Sequence, residues 1–356
     1  MAISRNKIDL LQKGLVIPAH PLALTAEREL DEKRQRRLTK YYLKAGVGGL
    51  AVGVHTTQFA IRDPAHNFLE KVFALTAEEV NRARMDKAII KVAGISGTTG
   101  QAILEAQLAY KWGYDLVLLS SNGLGDWTED ALLDRAREIA QVMPLFGFYL
   151  QPAVGGRILS FDFWKDFAEI PEVQAIKIAP FNRYQTLDVV RAVVHSSRNR
   201  DIALYTGNDD NIVGDLLTTY NFETPTGKVS KEIVGGLLGH WAFWTRRAVE
   251  LLEQIHQIKK SGKGIPPAIL SLGQQITDAN AAVFDATNQF AGCIPGIHAI
   301  LHRQGLLNGI WCLDAGECLS AGQQNEIDRI YSEYPELNDD DFVQAFLASG
   351  NLIANA

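Results

Sequence analysis

One lysine, in the run Val173-Gln174-Ala175-Ile176-Lys177-Ile178-Ala179-Pro180, is the residue of this chain best placed to do chemistry. The run is rich in β-branched residues, lies between Pro171 and Pro180, and reads as a strand buried on both faces. An ammonium loses its hydration in such a place. Desolvation lowers a lysine's pKa and frees the neutral amine, which can attack a carbonyl carbon and form a Schiff base. The alternative is a strand-end lysine that snorkels to water or pairs with a carboxylate.

The elements that would hold this lysine follow from the hydropathy pattern. From residue 15 onward, apolar runs alternate with amphipathic stretches of helical period, the pattern of repeated βα units and a parallel sheet. Eight runs stand out, at 15–18, 49–54, 89–95, 116–119, 145–150, 173–178, 202–205 and 233–238. Eight units in about 240 residues fit an α/β fold of the (β/α)8 TIM-barrel type. An open doubly wound sheet is the rival. Its Gly-x-Gly-x-x-Gly fingerprint is missing after the first run, where the sequence reads Pro18-Ala19-His20-Pro21.

Helix signals punctuate the pattern. Thr25 stands before an acidic turn, Gly46 follows a basic helix end, and Thr76 with Glu79 reads as a capping box. Further helices are expected to end near Trp112-Gly113, to begin near Thr128 and to cover 184–195. The segment 220–228 is an extra loop, of the kind that forms lids or subunit contacts. The alternation stops after residue 260. The expected organisation is therefore a barrel over 1–260 and a helical C-terminal extension over 261–356.

Composition narrows the function classes. With 356 residues, 47% of them hydrophobic, the chain can bury a large core. The net charge of −6 and the well-mixed signs argue against nucleic acid or an anionic membrane as partner, and the basic cluster Lys33-Arg34-Gln35-Arg36-Arg37 falls within a helical pattern. No window is long and apolar enough to cross a bilayer and no secretory leader is evident, so a cytoplasmic protein is expected. Three cysteines, Cys293, Cys312 and Cys318, have no paired metal-ligand spacing.

Chemistry in a barrel collects at the C-terminal ends of the strands. Those ends carry His20, then His55-Thr56-Thr57, Ser96 to Gly100, Ser120-Ser121-Asn122, Tyr149, Lys177, Thr206 to Asp210, and Gly239-His240. The lysine can form an imine with a keto acid, a tyrosine hydroxyl can relay protons, and threonine hydroxyls can hold a carboxylate. Each has a plainer reading: Tyr149 as a core ring, Thr56 and Thr57 as strand-end caps, Ser96 to Gly100 as a tight turn, His240 as a structural histidine. Three strand-end histidines also allow a metal-dependent hydrolase, although the His-x-His pair favoured on the first strand is absent.

The segment Tyr149-Leu150-Gln151-Pro152-Ala153-Val154-Gly155-Gly156, followed by Ala175-Ile176-Lys177-Ile178-Ala179, resembles the Tyr-x-x-Pro-x-x-x-Gly and Gly-x-Lys-x-x signatures of the dihydrodipicolinate synthase and N-acetylneuraminate lyase family. Val52-Gly53-Val54-His55-Thr56-Thr57 is similar to that family's Gly-Thr-Thr-Gly-Glu loop, and Tyr205-Thr206-Gly207-Asn208-Asp209 to its Ser-Gly-x-Asp turn. The similarity in order and spacing covers roughly residues 10–335. It implies a homo-oligomer, a tetramer or dimer, that runs class I chemistry on pyruvate or a related 2-keto acid without metal or cofactor. It also implies Lys177 as the Schiff-base lysine, Tyr149 as proton relay, and Thr56 and Thr57 as carboxylate ligands.

The departures shape the expected function. The synthases carry an arginine two residues after the motif proline, where this chain has Val154; Arg157 is expected to point elsewhere. The synthases' tyrosine after the fourth strand is missing from Leu119-Ser120-Ser121-Asn122-Gly123, and Gln58-Phe59 stands in place of the loop's Gly-Glu. These differences argue against the lysine-biosynthetic synthase itself. The expectation is a class I lyase, aldolase or dehydratase acting on a 2-keto acid and an aldehyde or related second substrate. His20, Ser120, Asn122, Asp209 and His240 would meet its non-keto half. A barrel that has kept the lysine but lost the reaction, and binds a small ligand, is the alternative, with the metal-dependent hydrolase third.

Overall fold

A computed structural model describes residues 3–225 and 227–350. In chain order its first half runs α1 (Arg5–Lys13), β1 (Val16–Pro18), α2 (Glu32–Ala45), β2 (Gly49–Val52), α3 (Leu69–Ala83), β3 (Ile90–Ile95), α4 (Thr99–Lys111), β4 (Leu116–Leu119), α5 (Glu129–Ala140) and β5 (Leu145–Leu150). It continues with α6 (Phe161–Ala168), β6 (Val173–Ala179), α7 (Arg183–His195), β7 (Ala203–Thr206), α8 (Ile212–Leu217), β8 (Thr219–Thr224) and β9 (Gly227–Leu238). Five helices follow: α9 (Thr245–Ser261), α10 (Pro267–Val283), α11 (Cys293–Arg303), α12 (Gln323–Glu333) and α13 (Asp340–Ala348).

The strand order is β1-β9-β7-β6-β5-β4-β3-β2. Its two ends meet, since Ala19 just past β1 bridges Ala51 of β2 in parallel. This is a (β/α)8 barrel, with the eight apolar runs of the sequence as its eight staves. Residues of β3, β4 and β5 are buried without exception, as expected of parallel strands covered on both faces. Helix starts use ordinary caps: Thr128 accepts from the Ala131 N–H, the Ser160 side chain from Phe163, and Asn182 from both Tyr184 and Gln185.

By compactness the described chain forms two units, 3–15 with 90–237 and 16–89 with 238–350. In the first, the register pairs Phe148 with Lys177 and Lys177 with Tyr205, while Tyr149 pairs with Ile178 and Ile178 with Thr206. Side chains alternate between the faces of a strand. One face therefore carries Phe148, Lys177 and Tyr205, and the other Tyr149, Ile178 and Thr206. The N-terminal helix α1, which the sequence pattern did not reveal, is tied to β7 by a 2.8 Å bond from the Tyr205 hydroxyl to the Leu11 carbonyl.

Several local expectations change. The first barrel helix starts six residues later than Thr25 suggests, at Glu32, and its cap is Asp31, whose carboxylate accepts from the Arg34 N–H at 2.9 Å. Thr25 instead sits in a turn held by Leu24 bridging Leu30. Thr76 and Glu79 lie inside α3 rather than at its start, and Glu79 takes ion pairs from Arg36 and Arg82 at 2.9 Å. The 220–228 loop is a β-hairpin, β8 running antiparallel to the first half of β9; Thr226 at its tip lies outside the described residues. Gly46 does end α2, in the left-handed conformation at φ 96°.

Candidate active site

Lys177 occupies the fifth position of the seven-residue β6 and is 8% exposed. Its Nζ lies 4.4 Å from the centroid of the Phe148 ring on the neighbouring strand. Burial pulls the ammonium down to about 8, and the negative charge of Asp209 pulls the other way. A substantial share of the side chain is thus the neutral, nucleophilic amine near physiological pH. Room for it comes from Gly207 on the loop after β7. A Cβ there would sit 2.5 Å from the Lys177 Cε and 2.8 Å from the Ala179 Cβ.

Asp209 is held near the lysine by a network absent from the sequence reading. Asp215 of α8, fully buried, accepts from the Thr206 hydroxyl at 2.7 Å, from Asn208 Nδ2 at 2.9 Å and from Asn211 Nδ2 at 3.1 Å, and it pairs with Arg183. Asn208 also accepts from the Phe181 N–H at 3.0 Å and donates to Thr186 at 3.2 Å. The β7–α8 turn is therefore clamped to α7 and α8 from below. A cluster of Thr, Asn and Asp within ten residues of a strand end is the only sequence signal for it, and such clusters mark turns far more often than sites.

Ser120 is buried, its hydroxyl accepting from the Asn122 N–H at 3.1 Å. Asn122 is half-buried and packs on Gly155, which has φ 90° and no space for a Cβ, since one would lie 2.4 Å from the Asn122 Oδ1. Arg157 points away from these groups, as expected. It donates to the carbonyls of Gly125 at 3.2 Å and of Trp127, locking the loops after β4 and β5 together.

Tyr149 requires a correction. The register puts it on the face opposite Lys177, so its ring packs at 5.2 Å from that of Trp164 in α6. Its hydroxyl donates to the Leu159 carbonyl at 3.3 Å and accepts from the Leu159 N–H at 3.2 Å. Burial raises its pKa, which keeps the phenol protonated. In this arrangement the ring is a structural element of the helix layer. Period-two alternation alone does not show this, because whether Lys177 and Tyr149 share a face depends on the register between their strands, which places them on opposite faces.

In the second unit, Thr56 and Thr57 form a 3-10 turn after β2 with His55. The Thr56 hydroxyl donates to the Ala19 carbonyl at 2.8 Å and that of Thr57 to the His20 carbonyl at 2.7 Å, while Thr57 Oγ1 accepts from Gly53 at 3.0 Å. Both threonines therefore tie the β2 loop to the end of β1. Gln58, at φ 66°, takes a backbone conformation that suits glycine. Its Oε1 accepts from the Leu313 N–H at 2.7 Å, which fixes the loop to the C-terminal segment.

His20 is fully buried, with Nδ1 2.8 Å from the Pro21 carbonyl and Nε2 2.9 Å from Thr39 Oγ1. That pattern suits a neutral ring donating from Nδ1 and accepting at Nε2. Burial brings its pKa down to about 4. His240 is likewise buried and brought down to about 4, bonded to Asn280 and edge-on to Phe243 at 4.9 Å. Neither histidine titrates near neutral pH, so both take the structural reading. The described residues thus bring Lys177 together with Asp209, Ser120 with Asn122, and His20 with Thr56 and Thr57; they set Tyr149 and His240 in packed aromatic clusters.

No protein-family model matches the chain. It is 27% identical over 205 residues to the N-acetylneuraminate lyase of Citrobacter koseri, a stretch covering 57% of this chain and 65% of the relative. It is 26% identical over 194 residues to that of Salmonella newport, covering 54% and 61%. The matched stretch is thus less than two thirds of these relatives' own length. Among solved structures, dihydrodipicolinate synthase from Oceanobacillus iheyensis superposes with a TM-score of 0.73 at 17% identity, covering 94% of this chain and all of the other. An Escherichia coli K12 prophage protein of the dihydrodipicolinic acid synthase family, in complex with pyruvate, gives 0.72 at 17% identity, covering 90% and 98%. These structural likenesses establish the barrel with its C-terminal helices. In sequence the chain is similar, at low identity, to N-acetylneuraminate lyases, and in fold to dihydrodipicolinate synthases and N-acetylneuraminate lyases.

Proposed function

We propose that this protein is a class I carbon–carbon or carbon–oxygen lyase that forms an imine between Lys177 and pyruvate or a related 2-keto acid. The observation that carries the reading is the buried Lys177 amine, brought down to about 8 and given room by Gly207. Its support from relatives is that the curated proteins it resembles are N-acetylneuraminate lyases and that one structural neighbour holds pyruvate. An aldehyde or sugar-like partner would complete the substrate pair, with Ser120, Asn122 and Asp209 as its polar contacts. Thr56 and Thr57 would meet the keto-acid carboxylate after their hydroxyls turn from the Ala19 and His20 carbonyls, or through backbone N–H groups. The same reading carries a cytoplasmic homo-oligomer, tetramer or dimer, which light scattering would measure.

The chemistry needs no redox partner. Nζ bonds to the carbonyl carbon while the carbonyl π pair moves to oxygen, and a proton passes from nitrogen to that oxygen to give the carbinolamine; its hydroxyl then takes up one proton and leaves as water while the nitrogen lone pair forms the iminium double bond. The iminium then accepts the electron pair of a bond β to nitrogen as that bond breaks, or supplies an enamine when one forms. Borohydride trapping with pyruvate, followed by peptide mapping, is expected to place the reduced adduct on Lys177 and to fail in Lys177→Ala. Tyr149→Phe is expected to trap within a few-fold of the parent, because its hydroxyl bonds only to Leu159 among the described contacts. An unmodified Lys177 in a folded protein would sink the proposal. That outcome would favour the second reading, a barrel that binds a small ligand without turning it over, which the inward-donated threonine hydroxyls and the helix-facing Tyr149 support.

A further inference from the structure

We propose that Phe148 is a catalytic residue of this chain: the face of its ring carries the positive charge that develops on the Lys177 nitrogen when the iminium forms. The inference rests on the imine reading and names a group that neither the sequence motifs nor the relatives point to. In parallel register Phe148 is the residue directly opposite Lys177 on β5, and the two share one face of the sheet. The Nζ lies 4.4 Å from the ring centroid, well inside the range over which a ring quadrupole attracts a cation. Phe148 is 6% exposed and Lys177 8%, so little water competes for the contact.

The place of that ring follows from the same alternation that removes Tyr149. With the phenol turned to Trp164, the aromatic group beside the amine is a phenyl ring, which has no proton to relay but has a negative π face. Gly207 closes the other side of the lysine stem, where a Cβ would lie 3.1 Å from the Lys177 Cγ and 2.5 Å from its Cε. The stem is therefore confined between Gly207 and its own strand, and the nitrogen is held toward the ring. Asp209 supplies the second, longer-range negative partner. Forming the iminium consumes one amine and one carbonyl, takes up a proton and releases water, so the nitrogen gains a full positive charge where the neutral amine had none. A group that favours the charged product over the neutral reactant favours this step.

Two measurements on the same variants test this. Competitive acetylation of Lys177 across pH, read by peptide mapping, reports the ammonium midpoint. Borohydride trapping with pyruvate across pH reports the iminium. Phe148→Leu keeps an apolar side chain of similar bulk but removes the quadrupole. It is expected to lower the acetylation midpoint by about one pH unit and to cut trapping above neutral pH about tenfold. Phe148→Tyr, which keeps the ring, is expected to stay within twofold of the parent in both; Phe148→Met replaces the leucine variant should that one not fold. A folded leucine or methionine variant with a parental or raised ammonium midpoint and a parental trapping profile overturns the proposal, since loss of packing alone admits water and moves the midpoint up rather than down. No adduct on the unaltered chain at any pH overturns the imine reading itself, and the iminium role with it, whatever acetylation shows.

Discussion

Burying an amine in the middle of a strand costs stability, and the cost has a defined pH window. The Lys177 ammonium titrates near 8 in the folded chain against 10.5 when exposed, a difference of roughly 3 kcal/mol. Below pH 8 both the folded and the unfolded chain carry the charge, so the full burial cost is felt. Between about 8 and 10.5 the unfolded chain holds a proton that the folded chain has released, and folding stability rises with pH. Lys177→Met is therefore expected to be inactive in trapping yet more stable than the parent by about 2–3 kcal/mol at pH 7. Chemical denaturation at pH 7 and pH 10 measures it, and a methionine variant less stable than the parent at pH 7 would refute the account. This lysine was legible in the sequence because an ammonium amid Ile176 and Ile178 contradicts its surroundings. Tyr149 was not, because a motif gives spacing along one strand, whereas the face a side chain takes in the barrel depends on its register with the next.

The same contrast holds for the elements. All eight barrel strands were visible as apolar runs, since parallel strands covered on both faces leave a continuous hydrophobic signal. The helix starts at Thr25 and Thr76 misled because a capping residue gains its meaning from the neighbours that turn away from the helix, and Asp31 competes better for the first of these. Turns were less readable still. The one after β7 depends on Asp215 meeting Thr206, Asn208 and Asn211, contacts made only after folding. Gly207 belongs to that turn, and its lack of a side chain leaves the space for the Lys177 stem. Gly207→Ala places a methyl 2.5 Å from the Lys177 Cε and 2.8 Å from the Ala179 Cβ, closer than packed atoms tolerate. The expected result is a stability loss of about 1–3 kcal/mol from overpacking together with at least a tenfold slower rate of adduct formation. Trapping kinetics alongside thermal melts check both, and a variant that traps pyruvate at the parental rate would show that the amine does not depend on this gap.

At the scale of the whole molecule, the histidines set how the chain responds to acid. His20, His240 and His298 are each brought down to about 4 by burial, and all three belong to the unit formed by 16–89 and 238–350. His298 lies beside the backbone of Ile310 and Trp311, in the segment whose Leu313 N–H holds Gln58. Above pH 6.5 all three are neutral in both states and burying them costs no charge. As pH falls from 6.5 toward 4 the unfolded chain takes up three protons that the folded chain refuses, so stability is lost by about 2 kcal/mol per histidine at pH 5. The sum, about 6 kcal/mol, approaches the whole stability of an ordinary domain. Hydrogen exchange at pH 7 and pH 5 is expected to show protection falling first in that unit, at β1, α2 and α9 to α12. The unit of 90–237 has no buried histidine with a lowered pKa among its described residues, and its amides should hold their protection longer. Equal loss across both units, or a melting temperature unchanged between pH 7 and pH 4.5, would mean that these rings reach water before the chain unfolds.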